Sequence, residues 1–280
     1  MVVVVLANLD LPSQEEANSR DVQQRRVDEA FDAKNADQHV LCVLVPYRDR
    51  LEELQVFAPH LKRFLDAQSV VHRLIVLNQS DQYRFNRASL INVGWFEARR
   101  VGCDYMCMHD VDLLPLNPQL DYGFPGDGPY HVASPEYHPR YNYTKFIGGI
   151  LILTMTQYEQ VDGMSNKYWG WGLEDDEFYL RLRDADLTAK LRRPTNLTTN
   201  RKNTFKHNHD KSVRKRDSAR VGNQRELSRR RDRISGLKTV RYEVLARIPM
   251  TIDNAPLTMV NVKLECDLEW TPYCLFDAPQ

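Results

Sequence analysis

Three features are missing from this 280-residue sequence, and each absence narrows the functions that the chain can have. No apolar run approaches the roughly 18 residues that a membrane span needs, since Val2–Leu6 is far too short, and no signal peptide is evident. The 38 Lys and Arg residues balance 38 Asp and Glu residues, so no overall field attracts nucleic acid or acidic membranes. A glycine-rich phosphate loop is also missing, so a bound nucleotide would have to be held by side chains and a metal ion.

Strand and helix patterns alternate from residue 39 onward. The alternation predicts a β-α-β-α-β start, which is typical of a nucleotide-binding α/β fold, and 42% hydrophobic residues suffice for one substantial core. The predicted strands are His39–Val45, Val71–Leu77, Asp104–His109, Phe146–Thr154, Val240–Ile248 and Thr258–Leu264, and the predicted helices are Leu51–Leu65 and Arg87–Val101.

The stretch Tyr168–Glu177 places two tryptophans and two glycines directly before four consecutive acids. Adjacent carboxylates repel one another, but a helix start tolerates them, and Phe178 and Leu182 continue at helical spacing. A tryptophan face suits the apolar face of a sugar, and an aspartate beside it is well placed to accept a hydroxyl proton. Taken alone, the stretch is more simply explained as a helix start with an acidic first turn.

Two further motifs favour a metal site. Asp110 and Asp112 follow an apolar strand, and if the chain stays extended their side chains point the same way. His207 and His209 have the same spacing and can reach one ion together. Asp112 with these two imidazoles suits a transition metal, and manganese is the natural choice. Each motif alone is also common in surface turns and loops; the combination is what favours a metal.

Six motifs in fixed order resemble the β-1,4-galactosyltransferases, and the resemblance covers about residues 39–276. The motifs are Pro46-Tyr-Arg-Asp-Arg50, Phe85-Asn-Arg-Ala88, His109-Asp-Val-Asp112, Phe146-Ile-Gly-Gly149, Trp169-Gly-Trp-Gly-Leu-Glu-Asp-Asp176 and His207-Asn-His209.

The resemblance implies an α/β fold of the GT-A type, with a mixed central sheet flanked by helices. It implies a stem-like segment over residues 1–38 and one catalytic domain over residues 39–280, in which residues 201–233 form a basic mobile loop. The family consists of type II Golgi membrane enzymes, so we expect this chain to be a soluble Golgi-lumenal fragment whose membrane anchor lies outside it.

The resemblance also implies residue roles. Asp175 would be the general base, and Asp112, His207 and His209 would ligate Mn²⁺. The donor UDP-galactose would contact Arg48, Phe85, Arg87, Asp110, Val111, Gly149, Trp171 and Glu174. The acceptor would contact Tyr141, Tyr143, Trp171, Leu173, Asp175 and Asp176. Phe146 departs from the family pattern, because it stands without a hydroxyl where a donor-site tyrosine is usual.

Leu173 favours one acceptor. Family members that use N-acetylglucosamine commonly carry glycine there. A leucine makes the acceptor pocket narrower, which suits xylose because xylose lacks both the acetamido group and C6. Together with this leucine, the resemblance implies inverting transfer of galactose to the 4-hydroxyl of β-xylose on a proteoglycan core protein, the second sugar of the glycosaminoglycan linker. The alternatives are transfer to N-acetylglucosamine and metal-dependent hydrolysis of a nucleotide sugar. A nucleic-acid-binding module is disfavoured, because only Phe205 lies among the cations of residues 201–233.

Two other features remain open. Residues 201–233 carry 13 Lys and Arg against 4 Asp and Glu. The stretch is interpreted as a loop closing over the donor, a docking surface for an acidic acceptor, or a solvated insertion. Cys42, Cys103 and Cys107 lie in apolar segments and are predicted to be buried thiols, whereas Cys266 and Cys274 flank a short loop that a disulfide can close.

Overall fold

A seven-stranded mixed sheet forms the centre of the protein. The computed structural model describes residues 37–209 and 215–276 together with Phe31 and Asn35, so most of the stem-like segment predicted over residues 1–38 lies outside the described residues. The strands are β1 Leu41–Tyr47, β2 His72–Gln79, β3 Tyr105–His109, β4 Leu113–Pro115, β5 Tyr130–His131, β6 Ile150–Thr154, β7 Phe205–His207, β8 Tyr242–Ile252 and β9 Ala255–Leu264. The order of the strands in the central sheet is β5-β6-β3-β1-β2-β9-β8.

Helices cover both faces of this sheet. They are α1 Leu51–Asp66, α2 Arg87–Arg100, α3 Met155–Gln160, α4 Glu174–Asp184 and the short α5 Gln224–Leu227, with 3-10 turns at Leu187–Lys190, Leu237–Thr239 and Pro272–Cys274. None of the helices within the described ranges is long and apolar enough to cross a membrane.

The sequences of the central strands are continuous apolar runs, because helices pack on both faces of the sheet. β1 pairs in parallel with β2 and with β3, and β2 pairs in parallel with β9. Along β1, Cys42 and Leu44 pack with α2 on one face, while Leu41, Val43 and Val45 pack with α1 on the other. This alternation follows from the two-residue period of a strand.

The later strands differ from the sequence prediction at their ends. β6 begins at Ile150 rather than at Phe146, because Gly149 takes a left-handed φ of +78° that interrupts extended chain. β8 and β9 form one long antiparallel hairpin whose tight turn has positive φ at Asp253 and Asn254. Polar residues tolerate this geometry, and the turn was not predicted from the sequence.

The protein contains two disulfides in the described residues. Cys266 and Cys274 are bonded, as predicted. Cys42 and Cys103 are also bonded, with a Cα–Cα distance of 5.8 Å, so the prediction that they are thiols was wrong. The parallel pairing of β1 with β3 brings Cys103, just before β3, beside Cys42, and this adjacency follows from sheet topology rather than from local pattern. Cys107 is the buried thiol that was predicted.

Candidate active site

The candidate site lies at the carboxyl edge of the parallel strands. Arg48 follows β1, Arg87 begins α2 after β2, and Asp110 follows β3. Open α/β sheets bind ligands at this edge, where loops from neighbouring strands meet. Asn86 caps α2 by accepting a hydrogen bond from the backbone of Ser89, which fixes the first turn of the helix that carries Arg87.

The two aspartates after β3 face different partners. The extended chain that would make Asp110 and Asp112 point the same way is not present, because the chain turns there and Leu113 N donates to Asp110 O at 3.3 Å. Asp110 accepts from Arg87 Nε at 2.8 Å. Asp112 instead lies beside His207 and His209. The two aspartates of one short motif therefore contact different residues, Asp110 the arginine and Asp112 the two histidines.

A small second sheet brings the histidines to Asp112. β4 pairs antiparallel with β7, placing Leu113 opposite His207, and Asn208 N donates to Asp112 O at 2.7 Å. Asp112 Oδ2 lies 3.8 Å from His207 Nε2 and 3.3 Å from His209 Nδ1. The predicted ligands, separated by almost a hundred residues in sequence, are therefore adjacent.

The chemistry of these three side chains fits a divalent transition metal. Both ring nitrogens of His209 are buried without a hydrogen-bond partner, and a coordinate bond to a metal would satisfy one of them. Burial lowers the pKa of His207 to about 4, with Arg140 adding to the effect, so the imidazole is in its neutral, metal-binding form at neutral pH. Among the described residues no three such side chains are already arranged as a coordination shell, so ligation requires small side-chain shifts.

Arg87 joins this region to the acidic start of α4. Its Nε donates to Asp110 at 2.8 Å and its Nη1 donates to Asp175 at 3.1 Å. Burial opposes the charge of Arg87, but Asp110, Asp175 and Glu174 outweigh that cost and raise its pKa. Arg87 thus ties Asp110, beside the proposed metal ligands, to the predicted general base.

The acids of α4 have distinct surroundings. Asp175 packs over Gly148 so closely that a Cβ at position 148 would lie 2.3 Å from Asp175 Oδ2. Burial raises the pKa of Asp175 to about 8, opposed by Arg87 and reinforced by Glu174, although 23% of the side chain stays exposed. Glu174 Oε2 is buried without a partner. Glu177 is instead held by Arg181 at 2.9 Å and so belongs to the core of the domain.

Aromatic rings border the acids. Tyr143 donates to Asp176 Oδ1 at 2.9 Å, and the rings of Tyr141 and Tyr143 both pack on Phe146, with centroids 4.9 and 5.5 Å away. Trp171 keeps 43% of its surface exposed, whereas Trp169 is buried. Of the two tryptophans, only Trp171 is therefore available as a platform for a sugar.

The other predicted donor residues are largely engaged with the protein. Arg48 donates to Gln79 O and Tyr83 O at 3.1 and 2.6 Å, and its guanidinium lies 5.9 Å from the Phe85 ring. These bonds shape the loop that carries Phe85.

Val111 is buried in the turn after Asp110. Gly149 is required by its positive φ, and Leu113 and Ala133 fill the space where a Cβ would lie. Gly149 therefore supports the Asp110 turn, to which its carbonyl is bonded at 3.0 Å, and the space beside its Cα holds protein atoms.

Sequence reasoning missed two groups beside the site. Arg84 is completely buried and binds Asp217, although an arginine within a loop carries no local signal of burial. Arg216 lies over the Trp171 ring at 4.7 Å. It was counted only as one cation of the basic stretch, of which residues 201–209 and 215–233 lie in the described part of the chain and 210–214 do not.

Comparison with known proteins gives a consistent assignment. Residues 5–124 match a family described as the N-terminal region of glycosyl transferase group 7, and residues 128–208 match the N-terminal domain of galactosyltransferase. The chain is 57% identical over 240 residues to a xylosylprotein 4-beta-galactosyltransferase of Caenorhabditis elegans, covering 84% of this chain and 82% of the relative. It is 52% identical over 238 residues to human beta-1,4-galactosyltransferase 7, covering 85% of this chain and 72% of the relative.

Solved structures agree with this assignment. The catalytic domain of Drosophila beta-1,4-galactosyltransferase 7 in complex with xylobiose superposes with a TM-score of 0.82 at 51% identity, covering 84% of this chain and 98% of that one. A mutant of the Drosophila protein, in complex with manganese, UDP-Gal and xylobiose, superposes equally well at 50% identity, covering 85% of this chain and 99% of that one. The predicted GT-A-type fold is confirmed, and the chain is a glycosyltransferase that belongs to the β-1,4-galactosyltransferase family.

Proposed function

We propose that this chain transfers galactose from UDP-galactose to the 4-hydroxyl of a β-xylose on a proteoglycan core protein, with inversion at the anomeric carbon. The observation that carries the proposal is the position of Asp175, an acid of raised pKa that lies between Arg87 and Gly148 and beside the exposed Trp171 segment. The relative named as a xylosylprotein galactosyltransferase, at 57% identity, supports the choice of acceptor.

The transfer itself is a direct displacement. The Asp175 carboxylate accepts the proton of the acceptor 4-hydroxyl while that oxygen forms a bond to the anomeric carbon of galactose. The bond from this carbon to the UDP oxygen breaks on the opposite face, so the α-linked donor gives a β-linked product. Arg87 keeps the Asp175 carboxylate in place at 3.1 Å, and its positive charge favours the ionised form that a base requires.

The donor is held from two sides. We assign the nucleotide end to Arg48, Phe85, Arg87, Asp110 and Val111, which line the carboxyl edge of the parallel strands, and the galactose to Glu174 and Trp171. Gly149 contributes by shaping the Asp110 turn. Glu174 Oε2, buried and unpartnered, is free to accept a hydrogen bond from a sugar hydroxyl.

Asp112, His207 and His209 would hold Mn²⁺, which when bound supplies Lewis-acid stabilisation of the departing diphosphate. The neutral imidazoles and the buried carboxylate have the ligand chemistry that suits this ion. Burial and, to a smaller extent, the nearby Asp110 raise the pKa of Asp112 to about 6, so a bound cation would also relieve the cost of ionising it.

The acceptor xylose would lie against Tyr141, Tyr143 and Trp171, with Asp176 accepting from a second hydroxyl. Asp176 accepts from Tyr143 at 2.9 Å, so this carboxylate already receives a hydrogen bond from an O–H group. Leu173 precedes Glu174 directly and would exclude acceptors bulkier than xylose.

The cellular setting follows from the same proposal. We assign residues 1–38 to a stem and residues 39–280 to the catalytic domain, with the stretch 201–233 closing over the donor. The two disulfides require an oxidising compartment, which supports placement in the Golgi lumen.

The test is UDP release from UDP-galactose with Mn²⁺, measured without acceptor, with a β-xyloside and with a β-N-acetylglucosaminide. We expect release to depend on the xyloside, to stop with EDTA, and to fall by about three orders of magnitude in Asp175→Asn. Asp184→Asn removes an exposed carboxylate from the same helix and should leave the rate unchanged. Preference for the glucosaminide would overturn the acceptor assignment, and acceptor-independent release would indicate a hydrolase.

A further inference from the structure

Arg84 has no place in the proposed chemistry, yet it is the largest fully buried side chain among the described residues. All five of its N–H groups are used. Nε and Nη2 donate to the two Asp217 oxygens at 2.6 and 2.9 Å, and Nη2 also donates to Ala219 O at 2.9 Å. Nη1 donates to Gln224 Oε1 at 2.7 Å and to Tyr273 O at 3.0 Å. Such complete satisfaction is what a buried guanidinium needs.

The partners of Arg84 surround the segment that carries Trp171. Trp171 N donates to Asp217 O at 2.7 Å, and Gln224 Nε2 donates to Trp169 O at 2.7 Å. On the other side, Gly170 N donates to the carbonyl of Phe85 at 2.8 Å. The backbone of residues 169–171 is thus held between the Arg84 loop and residues 217–224.

Gly170 shows how closely Arg84 approaches this segment. A Cβ at position 170 would lie 2.2 Å from Arg84 Nη2, and the φ of Gly170 is +83°. The first glycine of the Trp-Gly-Trp-Gly motif is therefore required by the buried arginine as well as by the turn of the chain.

Asp217 also fixes its neighbour. Arg216 lies over one part of the Trp171 ring at 4.7 Å, while the ring stays 43% exposed for other contacts. Arg84 therefore supports Trp171, the expected sugar platform, through Asp217, and its own peptide bond joins it to Phe85, which is expected to contact the nucleotide end of the donor. It touches neither substrate.

We propose that Arg84, acting through Asp217, is a positioning residue that sets Trp171 relative to the donor site. This inference rests on the proposed function for the identity of the substrates. The preference of the enzyme for transfer over hydrolysis then depends on the ion pair of Arg84 and Asp217, which does not contact the substrates. A displaced Trp171 leaves the bound donor open to water, so hydrolysis of UDP-galactose rises relative to transfer.

The test compares Arg84→Met and Asp217→Asn with the wild type. Asp217 is 28% exposed, so its substitution leaves the core packed. The matched control is Arg247→Met, which breaks the bidentate pair of Arg247 with the buried Glu97, both distances being 2.7 Å. The measurements are kcat and KM for the β-xyloside, and the ratio of hydrolysis to transfer. That ratio does not depend on the fraction of protein that is folded.

We expect kcat/KM for the xyloside to fall about 10- to 100-fold in both variants, with a raised hydrolysis-to-transfer ratio, while the control keeps the wild-type ratio. An unchanged ratio in Asp217→Asn, or an equal change in the control, would overturn the proposal. If the wild type prefers another acceptor, the same ratio is measured with that acceptor. A wrong substrate assignment and a wrong role for Arg84 therefore give different results.

Discussion

Two contacts hold the carboxylate of Asp175, and one of them is made to a residue without a side chain. Gly148 does not have a positive φ, so alanine is compatible with its backbone, but the added methyl would lie 2.3 Å from Asp175 Oδ2. We expect Gly148→Ala to displace the carboxylate and lower kcat by about 100-fold with little change in secondary structure. Steady-state kinetics and circular dichroism measure the two effects.

Gly126→Ala is the control for that substitution, because no atom lies within 4 Å of a Cβ at position 126. Its positive φ of +64° costs some stability, on the order of 1 kcal/mol, but no group near the candidate site moves. A similar loss of kcat in both variants would show that the packing of Asp175 over Gly148 is not what matters.

The raised pKa of Asp175 predicts an alkaline pH profile. Burial raises this pKa to about 8, Glu174, Asp110 and Asp176 add to the effect, and Arg87 opposes it. A base acts only when ionised, and with such a pKa only about one molecule in a hundred is ionised at pH 6. We therefore expect kcat to rise with pH and to level off above about pH 8.

A second variant identifies the group that titrates. Glu174→Gln removes a negative charge next to Asp175, so the rising part of the profile should move to lower pH even if the maximal rate falls. A profile that is flat between about pH 6 and 9, or that does not move in Glu174→Gln, would contradict the assignment of Asp175 as the base.

At the scale of elements, α4 begins in an unusual way. Leu173, the residue before the helix, has a left-handed φ of +78°, a conformation that costs a side-chain-bearing residue about 1 kcal/mol. Leu173→Gly removes that strain but gains freedom in the unfolded chain, so the two effects on stability nearly cancel. We expect a small change in Tm together with new activity on a β-N-acetylglucosaminide.

Leu173→Asn separates size from strain, because asparagine tolerates this φ but keeps a branched side chain. It should retain the preference for xylose. Equal acceptor ranges in the glycine and asparagine variants, measured by kcat/KM on both acceptors, would show that Leu173 does not exclude the bulkier sugar by size.

The elements also show which predictions a sequence supports. β1, β2, β3, α1 and α2 were predicted to within about two residues, because their apolar patterns are local and continuous. The Asp110–Asp112 turn was missed because it depends on a hydrogen bond to Gly149, 39 positions away. Arg84 was missed for the same reason, since its partners are remote in sequence. The pairing of His207 with Asp112 was predicted only because ligand chemistry joins distant residues.

At the scale of the whole molecule, the two disulfides act on different properties. Cys42–Cys103 joins positions 61 residues apart across the central strands, and Cys266–Cys274 joins positions 8 apart beside Arg84. Loop-closure entropy predicts a stabilisation of about 4 kcal/mol for the first and about 2.5 kcal/mol for the second. The second is bonded directly to Arg84, through Arg84 N to Cys274 O at 2.8 Å and Arg84 Nη1 to Tyr273 O.

Removing the first disulfide should therefore have the larger effect on stability, and removing the second should have the larger effect on catalysis. Replacing Cys42 and Cys103 together by alanine should lower the free energy of unfolding more, while the folded fraction keeps the wild-type ratio of hydrolysis to transfer. Replacing Cys266 and Cys274 should lower stability less but raise that ratio, because the acceptors of Arg84 on this loop are no longer fixed. Denaturant unfolding and the two-product assay measure both quantities. The same ranking in both measurements would mean that the loop stabilises the fold without positioning Trp171.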